Sequence, residues 1–121
     1  MSYIDGFVLA VPTANKQKFI EHAAMIDTIF TEFGATRVVE CWADDVTEGK
    51  TTDFVKAVQA TADESVVFSW IEWPDKETRE AAMKAMMSDD FNDERMDWEK
   101  YPMPFDGKRL IFGGFRPIVE L

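Results

Sequence analysis

The stretch Met103–Phe115 reads MPFDGKRLIFGGF, an Asp-Gly turn followed by an apolar run that contains two adjacent glycines. A glycine pair inside a strand costs backbone entropy and leaves nothing to pack, so it marks a bulge, a bend or a close approach of another group. The turn and the run predict a last strand over Arg109–Val119. The predicted first strand contains a weaker form of this pattern, a single Asp-Gly within the apolar stretch Tyr3–Phe7, which reads YIDGF.

Working outward from this strand, apolar and polar periodicity predicts three more strands and two long helices. The strands are predicted at Tyr3–Val11, Thr36–Ala43 and Val66–Trp73, and the helices at Ala14–Phe33 and Lys76–Met87. Thr13 and Asp75 are predicted N-caps, and Gly34 is typical of a helix end. A short helical piece is predicted near Asp53–Gln59 within the connection 44–65.

The order strand, helix, strand, strand, helix, strand predicts an α+β fold of the ferredoxin-like βαββαβ type. Right-handed crossovers place both long helices on one face of a four-stranded antiparallel sheet. The predicted first and last strands are nevertheless apolar on both faces. The second face therefore needs a partner, and the economical partner is another copy of the sheet, giving a homodimer packed sheet to sheet. The alternative is a monomer in which the long segment 88–108 folds under the sheet.

Composition limits the classes of partner and compartment. The 121 residues suit a single domain over 1–121, and the net charge of −10 repels phosphate backbones and anionic membranes. We therefore expect no nucleic-acid and no membrane partner. Cys41 is the single cysteine, so no internal disulfide can form. Without a signal-peptide pattern or a long apolar run, the predicted location is cytoplasmic.

Five ordered blocks resemble the YbaA-like bacterial proteins, the domain-of-unknown-function family 1428. The blocks are Asp5-Gly-Phe-Val, Arg37-Val-Val-Glu-Cys-Trp, Val66-Val-Phe-Ser-Trp-Ile-Glu, Met86-Met-Ser-Asp and Met103-Pro-Phe-Asp-Gly-Lys-Arg with its Gly113-Gly-Phe. The resemblance extends from Tyr3 to the C-terminus and implies a dimeric α+β barrel, in which two ferredoxin-like sheets face each other. It implies no established activity and no catalytic residues.

The candidate site residues are few. His22 is the only histidine and no metal-binding motif is present, so we expect no metal and no cofactor. Cys41 is interpreted as an inert thiol. The weak catalytic candidates are Glu40, Glu72 and His22, and the candidates for a ligand cleft are Asp5, Arg37, Trp42, Trp70 and Arg109. Charged groups in a two-faced sheet either line a wet cavity or form salt bridges at the dimer interface.

Three functional hypotheses follow. The first is a homodimer that binds a small molecule in a cleft between helices and sheet. The second is a cofactor-independent oxygenase or isomerase that acts on a small aromatic or acidic metabolite, with Glu40 or Glu72 as base. The third is a structural or regulatory interaction module. The acidic run Asp89–Glu99 is interpreted as a solvated loop, or alternatively as a lid over the cleft.

Overall fold

The computed structural model describes all 121 residues and contains one antiparallel sheet of four strands in the order β2-β3-β1-β4. The strands are β1 (Tyr3–Pro12), β2 (Arg37–Trp42), β3 (Glu64–Trp73) and β4 (Ile111–Phe115). The two ten-residue strands β1 and β3 pair along their whole length in the centre, from Tyr3 opposite Trp73 to Pro12 opposite Glu64. The predicted strands are thus present, and their bounds differ by one or two residues except in β4.

The prediction of a last strand over Arg109–Val119 is wrong at both ends. Gly107–Arg109 forms a single 3₁₀ turn, because the Asp106 side chain accepts a hydrogen bond from the Lys108 backbone N–H at 3.0 Å. Beyond Phe115, Pro117 has no N–H to donate to a ladder. Pairing with β1 therefore runs only from Ile111, opposite Val8, to Phe115, opposite Ile4.

Three α-helices accompany the sheet: α1 (Lys16–Glu32), α2 (Phe54–Ala57) and α3 (Lys76–Met86). Asp75 caps α3 by accepting from the Thr78 N–H, and Asp53 caps α2 by accepting from the Lys56 N–H, both at 2.7 Å. Gly34 follows α1 with φ of 109°, as a helix-ending glycine does.

Thr13 does not cap α1, contrary to the prediction. A 3₁₀ turn over Thr13–Asn15 precedes the helix, and the Thr13 hydroxyl lies 2.8 Å from that of Ser65. The Asn15 amide instead donates to the Pro104 carbonyl at 2.9 Å. This end of α1 is therefore tied to the segment before β4.

The core lies between the two longer helices and one face of the sheet, which we call the inner face. Side chains of α1 pack on the β1 and β3 residues at one end of the sheet, and Ala82 of α3 packs with Ile71 and Trp73 at the other. The buried α1 residues are Phe19, Ala23, Ile26 and Ile29. Both helices thus cover the same face, as the sequence predicts.

The long connection between α3 and β4 also lies on the inner side. Phe105 packs edge-on against Phe19 of α1 with ring centroids 5.9 Å apart. Arg95 donates to both carboxylate oxygens of Glu32, at 2.7 and 2.8 Å, and to the Thr28 hydroxyl at 3.0 Å. The alternative in which this segment folds under the sheet is therefore wrong. The opposite face, the outer face, is covered only at one end, where Val58 packs on Ala10 and Val66 and Phe54 of α2 meets Phe68 edge-on.

The outer face is apolar and concave. Phe68 is 44% exposed, Ile111 46% and Phe115 62%. With their neighbours they border a hollow of about 790 Å³, whose other lining side chains include Ile4, Val8 and Trp70. Both faces of the sheet are therefore apolar: α1 and α3 bury the inner face, whereas much of the outer face stays exposed.

Gly113 and Gly114 have different surroundings. A Cβ on Gly114 would lie 2.9 Å from Cε2 of Tyr3 and against its hydroxyl. The Tyr3 side chain therefore occupies the space that a side chain at position 114 would need. Gly113 faces the outer side opposite Gly6, where a Cβ would meet only the edge of the Phe115 ring, at 3.4 Å. The close approach is thus to a side chain of the same chain.

None of the helices combines the length and the apolar character that crossing a bilayer requires.

Candidate functional site

A pocket of about 230 Å³ lies between α1, the inner face of the sheet and the segment 96–110. We call it the inner pocket. Fourteen of its eighteen lining residues are hydrophobic. The polar exceptions are His22, Asp27, Glu40 and Ser69. An apolar enclosure with a few convergent polar groups has the composition of a small-molecule site.

Helical and strand periodicity bring these polar groups together. On α1, His22 and Ala23 lie one turn before Ile26 and Asp27, so all four point to the same side. On β2 the alternation that turns Glu40 toward the pocket sets it directly opposite Ser69 of β3. The helix thus supplies the histidine and one carboxyl, and the sheet supplies the other carboxyl and a hydroxyl.

The segment 96–110 closes the pocket from the side. Met96, Trp98, Met103, Phe105 and Leu110 contribute side chains to its wall. The segment is fastened to α1 through Arg95, which also donates to Asp93 at 2.6 Å. The acidic stretch Asp89–Glu99 therefore contributes two side chains, Met96 and Trp98, to this wall of the pocket.

Asp27 and Glu40 meet in the pocket as a hydrogen-bonded carboxyl pair. Burial, together with the hydrogen bond and the charge of Glu40, raises the pKa of Asp27 to about 9. Burial also raises the pKa of Glu40, while hydrogen bonds from Asp27 and Ser69 act in the opposite direction. The half-buried Asp27 therefore holds a proton at neutral pH, and Glu40, at the exposed mouth of the pocket, is the first of the two carboxyl groups to ionise.

His22 lines the pocket among aromatic rings. Its ring centroid is 5.8 Å from that of Trp98 and 6.0 Å from that of Phe105. Burial lowers the pKa of His22, so the imidazole is neutral at pH 7. The pocket therefore combines one carboxylate, one carboxylic acid and one neutral imidazole.

Glu72 and Arg37, two residues that the sequence proposes for the site, lie together on the outer face. The Arg37 guanidinium is 3.5 Å from the Glu72 carboxylate, and the Trp70 indole N–H donates to the same carboxylate at 2.9 Å. Trp70 borders both the outer hollow and the inner pocket. Of the three catalytic candidates, the structure thus brings Glu40 and His22 together and separates Glu72 from them.

Asp5 lies in the core instead of a cleft. It is 3% exposed, and its carboxylate accepts from the Trp73 indole at 2.9 Å and from Arg79 at 2.9 and 3.1 Å. Such an ion pair, with every oxygen engaged, compensates the cost of burying a charge. Asp5 therefore connects β1 to α3 and lines neither pocket.

Arg109 and Trp42 also lie outside the inner pocket. Both terminal nitrogens of Arg109 bind the Glu64 carboxylate at 2.6 Å, which holds the pKa of Glu64 at about 2. Trp42 packs on Phe19, with the Lys16 ammonium 5.6 Å from its ring centroid. Arg109 thus fastens the end of β4 to β3, and Trp42 extends the core.

Asp27 is the pocket residue that sequence reasoning did not identify. It lies four residues after Ala23 and three before Phe30, which places it on the apolar stripe of α1. An acidic residue at such a position is the signal that could have revealed it, because a carboxyl is rarely buried without a partner.

A second, more polar cavity of about 520 Å³ adjoins the inner pocket, and we call it the outer recess. His22 and Met103 line both cavities. The remaining lining residues of the outer recess include Lys18, Glu21, Lys100 and Tyr101. In neither cavity do three or more histidine, cysteine or carboxylate side chains converge in a way that could hold a metal ion.

Comparisons with known proteins agree on one family. A family model described as "Protein of unknown function (DUF1428)" matches residues 2–107. The uncharacterized protein YbaA of Escherichia coli and the protein of the same name from Shigella flexneri are each 55% identical over 120 residues. In both cases the match covers 99% of this chain and 99% of the relative. The chain therefore belongs to the DUF1428 family.

Proposed function

We propose that the protein binds a small molecule in the inner pocket. The observation that carries this proposal is the pair Asp27 and Glu40, which faces an apolar pocket of about 230 Å³ without a basic partner. Leaving a carboxylate against an acid in apolar surroundings costs folding free energy. A sequence retains such a costly arrangement more readily where it recognises or transforms a ligand.

The charge of the pair defines the ligand that the inner pocket accepts. Glu40 ionises before Asp27, and its carboxylate repels an anionic group and accepts hydrogen bonds from a hydroxyl or an amine. Aromatic and methionine side chains provide a flat, adaptable apolar wall. The part of the ligand that enters the inner pocket is therefore an uncharged aromatic or aliphatic group with a hydrogen-bond donor.

A calorimetric titration with 2-naphthol tests the binding proposal. We expect saturable binding at pH 7 that the substitution Ala23→Leu abolishes, because Ala23 lines the pocket and the larger side chain fills it. Ala24→Leu is the matched control, since Ala24 is exposed on the neighbouring position of α1. Circular dichroism checks that both variants fold. Binding that is absent in the wild type, or equal in both variants, would refute the proposal.

Enzymatic proton transfer is the second candidate function, and the two carboxyl groups of different protonation state favour it. In the proposed reaction the Glu40 carboxylate removes a proton from a carbon next to a ketone while the Asp27 carboxyl gives its proton to the ketone oxygen. The C–H bond breaks, an enol forms, and the reverse transfers restore both groups. The reaction is a reversible enolisation, which only moves protons, so it needs no oxidant and no cofactor.

Isotope exchange separates catalysis from binding. We expect the protein to accelerate exchange of the acidic C–H hydrogens of 2-tetralone with deuterated water above the buffer rate. Glu40→Gln, which keeps the shape of the side chain but removes the base, should reduce this acceleration at least tenfold. Glu72→Gln on the outer face is the control and should leave it unchanged. An exchange rate equal to the buffer rate for the wild type would exclude this candidate.

The proposed assembly is a homodimer joined through the outer faces, with each protomer ferredoxin-like and the pair forming a dimeric α+β barrel. The antiparallel order β2-β3-β1-β4 and the position of α1 and α3 on one face support the ferredoxin-like assignment. The exposed Phe68, Ile111 and Phe115 support a partner on the other face. A cytoplasmic location remains part of the proposal and is consistent with the free thiol of Cys41.

A further inference from the structure

The inner pocket and the outer recess share a wall formed by His22 and Met103. Met103 is 39% exposed, and its unbranched side chain can rotate with little cost. The pocket alone holds about 230 Å³, while the recess adds about 520 Å³ on the solvent side. A ligand larger than the inner pocket would therefore extend past these two side chains into the recess.

The two cavities differ in their charged side chains, because only the recess contains basic ones. The inner pocket carries the Glu40 carboxylate and no basic side chain. The recess is lined by Lys18 and Lys100 against the single carboxylate Glu21. Lys100 binds Glu94, whereas Lys18 forms no ion pair in the structure. Lys18 is therefore the cation that is available to a ligand.

Helix geometry fixes the spacing between this cation and the pocket. Lys18 precedes His22 by four residues on α1, so it lies one turn, about 6 Å, along the helix from the shared wall. The Tyr101 hydroxyl borders the same recess and provides a further hydrogen-bond donor. An anionic group joined to the ring by a short flexible chain would therefore extend from the inner pocket toward Lys18.

We propose that the ligand is an amphipathic monocarboxylate whose apolar ring system occupies the inner pocket and whose carboxylate occupies the outer recess at Lys18. This inference rests on the proposed binding function and adds the orientation and chemical class of the ligand. Glu40 repels the carboxylate of the ligand and Lys18 attracts it. The two charges therefore favour one orientation of the bound ligand, with its ring in the inner pocket. An acidic ligand is thus compatible with the carboxylate of Glu40 in the inner pocket, because the acidic group of the ligand lies in the recess.

A pair of matched probes tests the inference: 4-(2-naphthyloxy)butanoate and its uncharged primary amide, titrated at low salt and pH 7. We expect both to bind and the acid to bind about five- to tenfold more tightly. Lys18→Ala should remove this preference by weakening only the acid, because the amide makes no ion pair. Lys84→Ala, a substitution on exposed α3 surface away from both cavities, should leave both affinities unchanged.

The outcomes separate the two proposals. If the amide fails to bind, the proposed binding function fails and the inference falls with it. If the amide binds but the acid gains nothing, or if the preference survives in Lys18→Ala, the inference is overturned while the binding function stands. Lys18 is exposed, so its removal is not expected to affect folding, and circular dichroism with a thermal melt verifies this.

Discussion

Asp27 and Glu40 approach each other from α1 and β2 with no lysine or arginine between them. Two carboxyl groups in contact cannot both ionise without mutual repulsion, so they share one proton at neutral pH. This arrangement differs from that of the buried carboxylate Asp5, which is neutralised by Arg79. At the scale of single residues, the molecule therefore contains one carboxylate that stabilises the fold and one pair that costs stability.

We expect Asp27→Asn to stabilise the protein at neutral and alkaline pH. Because the folded pKa of Asp27 is about 9 and its ordinary value is 3.8, its stabilising contribution is complete below pH 4 and is lost as the pH rises toward 9. Asparagine does not titrate and can donate to Glu40. The gain in unfolding free energy at pH 8 should be about 1 kcal/mol or more, with little difference near pH 4.

Urea unfolding at pH 4, 6 and 8 measures this difference. Glu21→Gln serves as a control, since Glu21 is an exposed acid on the same helix and its replacement should give no trend of this size. A gain for Asp27→Asn that stays constant with pH, or that shrinks as the pH rises, would disprove the shared-proton assignment.

Asp5→Asn should have the opposite effect, lowering the free energy of unfolding by about 3 kcal/mol. The substitution leaves the Arg79 guanidinium largely buried, 22% exposed, without its counterion. Arg79 also binds the exposed Glu80, so Glu80→Gln is the control that removes only a surface contact, with an expected loss below about 0.5 kcal/mol. Equal losses in the two variants, measured by urea unfolding, would contradict the structural role of Asp5.

At the scale of elements, the two glycines of β4 have different neighbours where this strand pairs with β1. Gly114 leaves room for Tyr3, whereas Gly113 faces the open side of the sheet. The two adjacent positions therefore respond differently to the same substitution, although they look alike in the sequence.

Gly114→Ala should destabilise the protein by about 2 kcal/mol, because its new methyl group overlaps the Tyr3 ring and forces that buried side chain to move. Gly113→Ala is the matched control, and its Cβ meets only an exposed ring edge. Its effect should be near zero or slightly stabilising. Thermal melts that rank the two variants in the reverse order would show that the Tyr3 contact is not the constraint.

Sequence periodicity predicted every strand and both long helices, because their apolar faces and caps are local features. Apolar periodicity overextends β4 at both ends. At its start Asp106 diverts the chain into a turn through a side-chain hydrogen bond, and past its end Pro117 has no N–H for the ladder. For the site, Glu40 and His22 were found but Asp27 was not. Asp5 and Arg109 were placed in the cleft because their partners, Arg79 and Glu64, are distant in the sequence.

At the scale of the whole molecule, the proposed dimer is joined through the outer face. Light scattering should give twice the 13.9 kDa chain mass at micromolar concentration. Ile111→Glu, which sets a charge on the outer face, should give the chain mass itself, since burying an unpaired carboxylate between sheets is costly. Met87→Glu is the control, because Met87 is exposed after α3 and should not affect the mass. A monomeric wild type would remove the dimer from the proposed assembly.

The location of the ligand is tested most directly by a ¹H–¹⁵N NMR titration with 2-naphthol. The Trp98 indole and the Ala23 amide report on the inner pocket, and the Ile111 and Phe115 amides report on the outer face. We expect saturable shifts at Trp98 and Ala23 with the outer-face signals unchanged. Shifts confined to Ile111 and Phe115, or no saturable shift at any of the four, would contradict a binding site in the inner pocket and favour an interaction module.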